Sequence, residues 1–267
     1  MHELAFVFAG FAVGLIVGLT GVGGGSLMTP ILIFFFGVKP HMAVGTDLLF
    51  AAFTKMGGTV SLARQRLVPW KVVGQLCAGS IPAALLALWA LKAIGPASGT
   101  AQSIMTTTLG FALLLTAAAT LYKAIAFSAQ RQAAEAAARK AHAGDPTRPR
   151  HWSLPVLLGA VIGTLVTFTS VGAGAIGVTV LLLVYPLLPL PRVIGADIAY
   201  AVPLTLVAGL GHASLGSVDW PLLAQLLAGS LPGIWLGSRL VTRTPERLIR
   251  SALSVLLAWA GFKLILI

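Results

Sequence analysis

Long apolar stretches recur from one end of the chain to the other, separated by short polar joints. They cover approximately residues 4–36, 42–63, 72–91, 101–125, 153–186, 193–214, 221–241 and 249–267. About 20 apolar residues suffice for a helix to cross a hydrocarbon layer roughly 30 Å thick. The expected fold class is therefore an all-α membrane protein with many crossings. Between the fourth and fifth stretches lies the one clearly soluble segment. From Ser128 it reads Ser-Ala-Gln-Arg-Gln-Ala-Ala-Glu-Ala-Ala-Ala-Arg-Lys-Ala, a helix-forming composition that would prolong the fourth helix. Asp145-Pro146 and Arg148-Pro149 then break it. The expected division is a transmembrane unit over 1–127, a cytoplasmic linker over 128–151 and a second transmembrane unit over 152–267.

Two stretches do not fit a single crossing. As one helix, residues 4–36 would be roughly 50 Å long at ~1.5 Å per residue. Residues 153–186 have the same excess, and each stretch carries a glycine cluster near its middle. A tilted or kinked helix packed through its glycines is one solution. The other is a broken helix or re-entrant hairpin, whose non-helical backbone is tolerated in a membrane only where it is buried or lines a cavity.

The chain also contains itself twice. Val-Pro-Trp-Lys-Val-Val-Gly-Gln-Leu-Cys-Ala-Gly-Ser-Ile-Pro (68–82) matches Val-Asp-Trp-Pro-Leu-Leu-Ala-Gln-Leu-Leu-Ala-Gly-Ser-Leu-Pro (218–232). A shift of 150 pairs Trp70 with Trp220, Gln75 with Gln225, and Gly45 and Asp47 with Gly195 and Asp197. A shift of 149 pairs Gly14 with Gly163 and the run Gly-Val-Gly-Gly-Gly (21–25) with Ser-Val-Gly-Ala-Gly (170–174). Duplicated apolar segments around a glycine-rich break are the mark of a secondary transporter.

Charge gives the relative orientation of the copies. If every stretch crossed once, the repeats would be parallel and the basic loop residues would divide almost evenly between the two faces. If the first and fifth return to the side they entered, only Lys39, Lys92 and Lys263 lie on the N-terminal face and the other basic loop residues lie opposite. That is the bias of cytoplasmic over external loops. Equivalent loops agree: Arg64, Arg66 and Lys71 correspond to a loop from Ser214 to Trp220 without a basic residue. The expectation is two inverted repeats with both termini external, each repeat a broken or re-entrant first helix plus three transmembrane helices.

Composition narrows the class. The chain is 57% hydrophobic and 9% charged, with a mean hydropathy of +0.94, which excludes an ordinary soluble domain. The net charge of +11 comes from basic residues at the ends of apolar stretches, so orientation in a membrane accounts for it and nucleic acid is not an expected partner. Cys77 is the sole cysteine, so no internal disulfide or cysteine-based metal cluster forms. The opening Met-His-Glu has no basic flank, and a removable signal peptide is not expected.

The candidate chemistry lies at the glycine breaks. A helix starting after Gly25 near mid-membrane would aim backbone N–H groups and its positive dipole end into a cavity, and its counterpart starting near Gly174 would do so from the other side. Gly21, Gly23, Gly24, Gly25, Gly172 and Gly174 would let an oxyanion approach the backbone, with Thr20, Ser26, Thr169 and Ser170 as hydroxyl donors. The alternative for the glycines is helix packing. Asp47 and Asp197, equivalent in the repeats, are candidates for proton or ion coupling or, alternatively, helix caps. Lys55, whose repeat equivalent is Thr205, either attracts the anion, pairs with an aspartate or snorkels to an interface. His212 reads as interfacial. Gln75 and Gln225 read as interhelical hydrogen-bonding groups, Pro82 and Pro232 as kinks, and Trp70, Trp89, Trp152 and Trp220 as interface anchors.

Gly-Leu-Thr-Gly-Val-Gly-Gly-Gly-Ser-Leu-Met-Thr-Pro-Ile-Leu (18–32), followed by Val-Gly-Thr-Asp-Leu (44–48), resembles the opening of the TauE/SafE sulfite exporter family. The second copy, with Gln225 to Gly233, extends the resemblance over nearly the whole chain apart from the linker. It implies a permease that moves sulfite, organosulfonates or related sulfur compounds across the bacterial inner membrane. Repeat two departs from the pattern, with Ser170, Ala173 and Thr179 in place of Gly21, Gly24 and Pro30, so the two halves of a site need not contribute equally. The function expected is a multi-pass secondary permease for a small sulfur-containing anion, with export as its direction; the alternative is a passive anion channel on the same scaffold. Neither a Walker A loop nor an HExxH or GxSxG signature occurs, so ATP-driven transport by this chain and enzymatic activity are not expected. No cofactor or metal is expected. The partners are the small anion and the lipid bilayer, and a homo-oligomer is compatible with the sequence.

Overall fold

A computed structural model describes residues 2–20, 25–125, 147, 153–172, 174–185, 187–240 and 246–265. These residues form ten α-helices and no strand: α1 His2–Thr20, α2 Gly25–Phe36, α3 Pro40–Arg64, α4 Trp70–Ile94, α5 Gly99–Ile125, α6 Leu154–Thr169, α7 Ala175–Val184, α8 Leu190–Ser214, α9 Trp220–Leu240 and α10 Glu246–Ile265. Among the described residues, Trp70–Ile94, Gly99–Leu121 and Leu190–Ser214 are long and apolar enough to cross a membrane. The expected linker helix lies outside the described residues.

Both overlong stretches are divided. The first becomes α1 and α2, the second α6 and α7. At ~1.5 Å per residue, α2 and α7 extend only about 18 and 15 Å, half of a hydrocarbon layer. In the second copy the break is built from left-handed backbone at Ser170 (φ 59°) and at Gly172 and Gly174 (φ 140° and 128°). A single kinked helix over 153–186 is thereby excluded.

The helices after the breaks begin earlier than hydropathy suggests. Pro40 and Pro191 occupy the first turns of α3 and α8, where proline's fixed φ favours initiation and its missing N–H is no loss. Asp47 and Asp197 consequently lie about two turns inside their helices. The capping alternative fails for both.

Close backbone approaches hold the helices together, as expected where lipid removes the hydrophobic drive for association and small residues permit tight packing. Helix α1 packs on α9, with Gly10 against the Leu226 carbonyl and Gly14 against that of Ser230; α6 packs on α4, with Gly159 against the Leu76 carbonyl and Gly163 against that of Ser80. Both pairs run parallel. Helix α3 meets α8 through Gly209 against Leu49, with Gly45 against Ser217 just beyond the end of α8, and α5 meets α10 through Gly110 against Ile265 and Gly261 against Leu113. These pairs run antiparallel. One contact between the halves recurs with the halves exchanged: Gly45 on Ser217 is matched by Gly195 on Leu67.

Two apolar cores result, and each draws on both halves. One gathers Leu48, Leu76, Met105, Val166, Tyr185 and Leu204; the other gathers Met28, Leu32, Phe50, Leu113, Leu226 and Leu257. The outer surface is apolar as well: Leu4, Phe8, Phe35, Leu86, Leu157, Leu183, Val255 and Phe262 are exposed, which suits lipid rather than water. Trp70, Trp89 and Trp220 are exposed near helix ends, as interface anchors should be. Trp152 lies outside the described residues.

His212 departs from expectation. It is fully buried, and its Nε2 lies 2.9 Å from the Thr167 carbonyl, tying α8 to α6. Gln75 accepts a hydrogen bond of 2.6 Å from the Tyr185 hydroxyl, the interhelical use expected of it. Ser230 Oγ reaches back to the Leu227 carbonyl at 3.4 Å in the proline-containing turn of α9, whereas Ser80 Oγ has no hydrogen-bond partner among the described residues.

Candidate functional site

The break between α6 and α7 starts where Ser170 turns left-handed and donates its N–H to the Val166 carbonyl at 2.7 Å. Thr169 stabilises the turn. Its hydroxyl lies 2.6 Å from the Leu165 carbonyl and accepts the Val171 N–H at 3.1 Å. Thr169 is thus committed to the backbone, a different use from the anion donor expected of it. A helix leaves its first N–H groups without intrahelical partners. At α7 the amides of Gly177 and Val178 turn back to the carbonyls of Gly172 and Gly174, at 3.2 and 3.1 Å.

A buried carboxylate from each half packs beside a half-helix. Asp47 of α3 is fully buried and accepts a hydrogen bond from Thr29 Oγ1 of α2. The Ser170 hydroxyl faces the same carboxylate without a hydrogen bond of good geometry. One aspartate of the first half therefore bonds the helix that follows the first break and lies beside the residue that opens the second. Asp197 of α8 is the counterpart. Its Oδ1 rests on Gly177 in the first turn of α7, where a Cβ would overlap it, and the Tyr200 hydroxyl lies beside the same glycine. A side chain at this position would require the Asp197 carboxylate to shift.

Lys55 stands about two turns beyond Asp47 on α3 and is half-buried. Its ammonium lies within electrostatic range of both Asp197 and Asp47. The second half supplies no equivalent cation: Thr205 is buried and its hydroxyl returns to the Ala201 carbonyl at 2.7 Å.

Of the residues singled out from sequence, the structure thus gathers Asp47, Ser170, Lys55 and Asp197, with Gly172 and Gly174 shaping the second break. Gly21, Gly23 and Gly24 lie outside the described residues. Thr20 ends α1, and Gly25 and Ser26 begin α2; the orientation of the Thr20 and Ser26 side chains is outside the described structure. Thr29, Gly177 and Tyr200 are additions. Tyr200 could have been found from spacing, since it follows Asp197 by three residues on one helical face. Its counterpart Phe50, buried three residues after Asp47, carries no hydroxyl. Thr29 gave no such sign, because its pairing with Asp47 depends on how α2 folds back on α3.

Similarity to known proteins extends over nearly the whole chain. The family model described as "Sulfite exporter TauE/SafE" matches residues 6–264. The chain is 34% identical over 272 residues to "Probable membrane transporter protein YjnA" of Bacillus subtilis (strain 168), covering 98% of this chain and 100% of that one. It is 26% identical over 257 residues to "Probable membrane transporter protein YdhB" of the same strain, covering 96% and 97%. No solved structure gives a significant match.

Proposed function

The chain belongs to the TauE/SafE sulfite exporter family of membrane transporters, and from that premise we propose that it is a multi-pass secondary permease of the bacterial inner membrane that exports a small sulfur-containing anion such as sulfite or an organosulfonate. In this reading the two halves, 1–127 and 152–267, are inverted repeats joined by a cytoplasmic linker over 128–151. The antiparallel packing of α3 on its repeat equivalent α8, and of α5 on α10, supports the inversion, since repeats related by an axis normal to the membrane would place equivalent helices parallel. The anion would bind between the breaks, at Thr20 to Ser26 and Ser170 to Gly174, with Lys55 as its attracting cation and backbone N–H groups as its principal donors. Asp47 and Asp197 would carry the coupling protons.

The observation that carries this reading is the Asp47 cluster, where a fully buried carboxylate bonds Thr29 after one break and is faced, without a bond of good geometry, by Ser170 at the other. Intramembrane ionisable groups are costly and mark substrate or ion paths. For the direction, an inside-negative potential drives a net anion outward by ~2.3 kcal/mol per charge per 100 mV, and the family description names an exporter.

The test is flux in proteoliposomes with sulfite, sulfate, thiosulfate, sulfoacetate and chloride, with and without a pH gradient. Saturable, gradient-driven movement of a sulfur anion is expected. Gly24→Val and Gly174→Val should raise its apparent Km or abolish transport while membrane insertion persists, because a Val side chain would fill the space beside the backbone donors. Unsaturable flux of all five anions would replace the permease by a channel, and wild-type kinetics in both variants would move the site elsewhere.

A further inference from the structure

An apolar groove of about 350 Å³ lies on the outer side of the protein, between α1, α2 and α10. Ala9 forms one wall, Pro30 and Phe34 a second, and Leu256, Trp259 and Ala260 the third. No side chain lining it carries a formal charge, so it does not suit a small anion. Around it Phe8, Phe35, Val255 and Phe262 are exposed, so it opens onto the same apolar surface that meets the bilayer.

One cation stands at its rim. Lys263, exposed in the last turn of α10, holds its Nζ 4.9 Å from the Phe34 ring centroid and 5.1 Å from that of Trp259. Both rings line the groove. Among the described residues no carboxylate pairs with this ammonium. Two ring faces orient the charge from one side and leave the other side open to an anion. An apolar trough ending at an oriented cation with no carboxylate partner among the described residues is complementary to an amphiphile with an anionic head. Lys and Trp together near a helix end also mark the level of lipid headgroups.

We propose that the groove binds an anionic phospholipid, one acyl chain lying between α1, α2 and α10 and the headgroup phosphate pairing with Lys263. The proposal is independent of the transported substrate. A basic residue gains ~1 kcal/mol at an anionic lipid surface, which corresponds to about a fivefold preference.

The test is native mass spectrometry of the delipidated full chain, offered equal amounts of phosphatidylglycerol and phosphatidylcholine with identical acyl chains. The wild type should retain phosphatidylglycerol about fivefold over phosphatidylcholine. Lys263→Met should remove the preference, Lys263→Arg should keep it, and Leu256→Trp, which fills the groove from an exposed position, should reduce retention of both lipids. Lys263→Gln gives a second neutral variant should the methionine variant be poorly produced. Equal retention by the wild type, or a preference that survives loss of the charge, overturns the proposal. So does a dimer that Leu256→Trp dissociates, for then a second copy of the chain covers the groove.

Discussion

Thr29 donates its hydroxyl hydrogen bond to the carboxylate of Asp47, 18 residues later in the chain, with both side chains fully shielded from solvent. The contact fastens the half-helix α2 to α3 at the level where the chain has just emerged from its first break. A buried carboxylate deprived of a donor is destabilised by ~1–3 kcal/mol. Thr29→Val should therefore lower the melting temperature and slow transport, whereas Thr29→Ser should approach wild-type behaviour in both measurements.

Asp47→Asn separates coupling from structure. Asparagine keeps the shape and can accept from Thr29 but carries no titratable proton. In proteoliposomes, accumulation driven by a pH gradient should be lost while exchange at equal concentrations continues. Asp197→Asn should act in the same direction. Undiminished accumulation in both single variants would assign the carboxylates to packing alone.

Lys55 supplies positive charge to a region with two aspartates, and Thr205 offers none from the other half. Removing that charge with Lys55→Met should raise the apparent Km for the anion about tenfold, the equivalent of ~1.4 kcal/mol, with expression little changed. Unaltered affinity, measured by concentration-dependent flux, would mean that the ammonium serves the protein rather than the substrate.

Gly177 and Gly57 offer a paired comparison. A methyl group at Gly177 would displace the Asp197 carboxylate, while at Gly57 it meets nothing within 4 Å among the described residues. Gly177→Ala should impair gradient-driven transport strongly. Gly57→Ala should leave transport intact and gain roughly 0.5–1 kcal/mol in helix stability. Thermal melts and flux assays on the two proteins would show whether tolerance follows this local space.

Orientation is checked by labelling single cysteines in a Cys77→Ser background. Gln65 and Ser214 are exposed at nearly equivalent ends of α3 and α8. With inverted repeats, Gln65→Cys should react from the cytoplasmic side and Ser214→Cys from outside. Reaction of both from one side would sink the inverted arrangement.

Much of this protein was legible before folding was considered. Hydropathy is a local property, so the apolar stretches and the excess length of 4–36 and 153–186 could be read directly, and glycine clusters located their breaks. Duplication is also a property of the linear chain, and it made Asp47 and Asp197 equivalent. Helix starts were less legible: Pro40 and Pro191 initiate turns outside the most apolar windows, so the two aspartates lie inside their helices and the capping alternative falls away. The reading failed at His212, because a position near the end of an apolar stretch can still be covered by another helix.

Contacts between distant segments were decided by packing alone. Nothing in the order of residues indicates that Thr29 bonds Asp47, that Ser170 faces it from the other half, or that Tyr200 and Gly177 flank Asp197. Those neighbours follow from which helices meet and from approaches close enough to exclude a Cβ, as at Gly14 on Ser230 and Gly163 on Ser80. A sequence specifies each helix through the nearby residues that favour or end it. The site requires the crossing of several helices at once, and that geometry is a property of their joint packing.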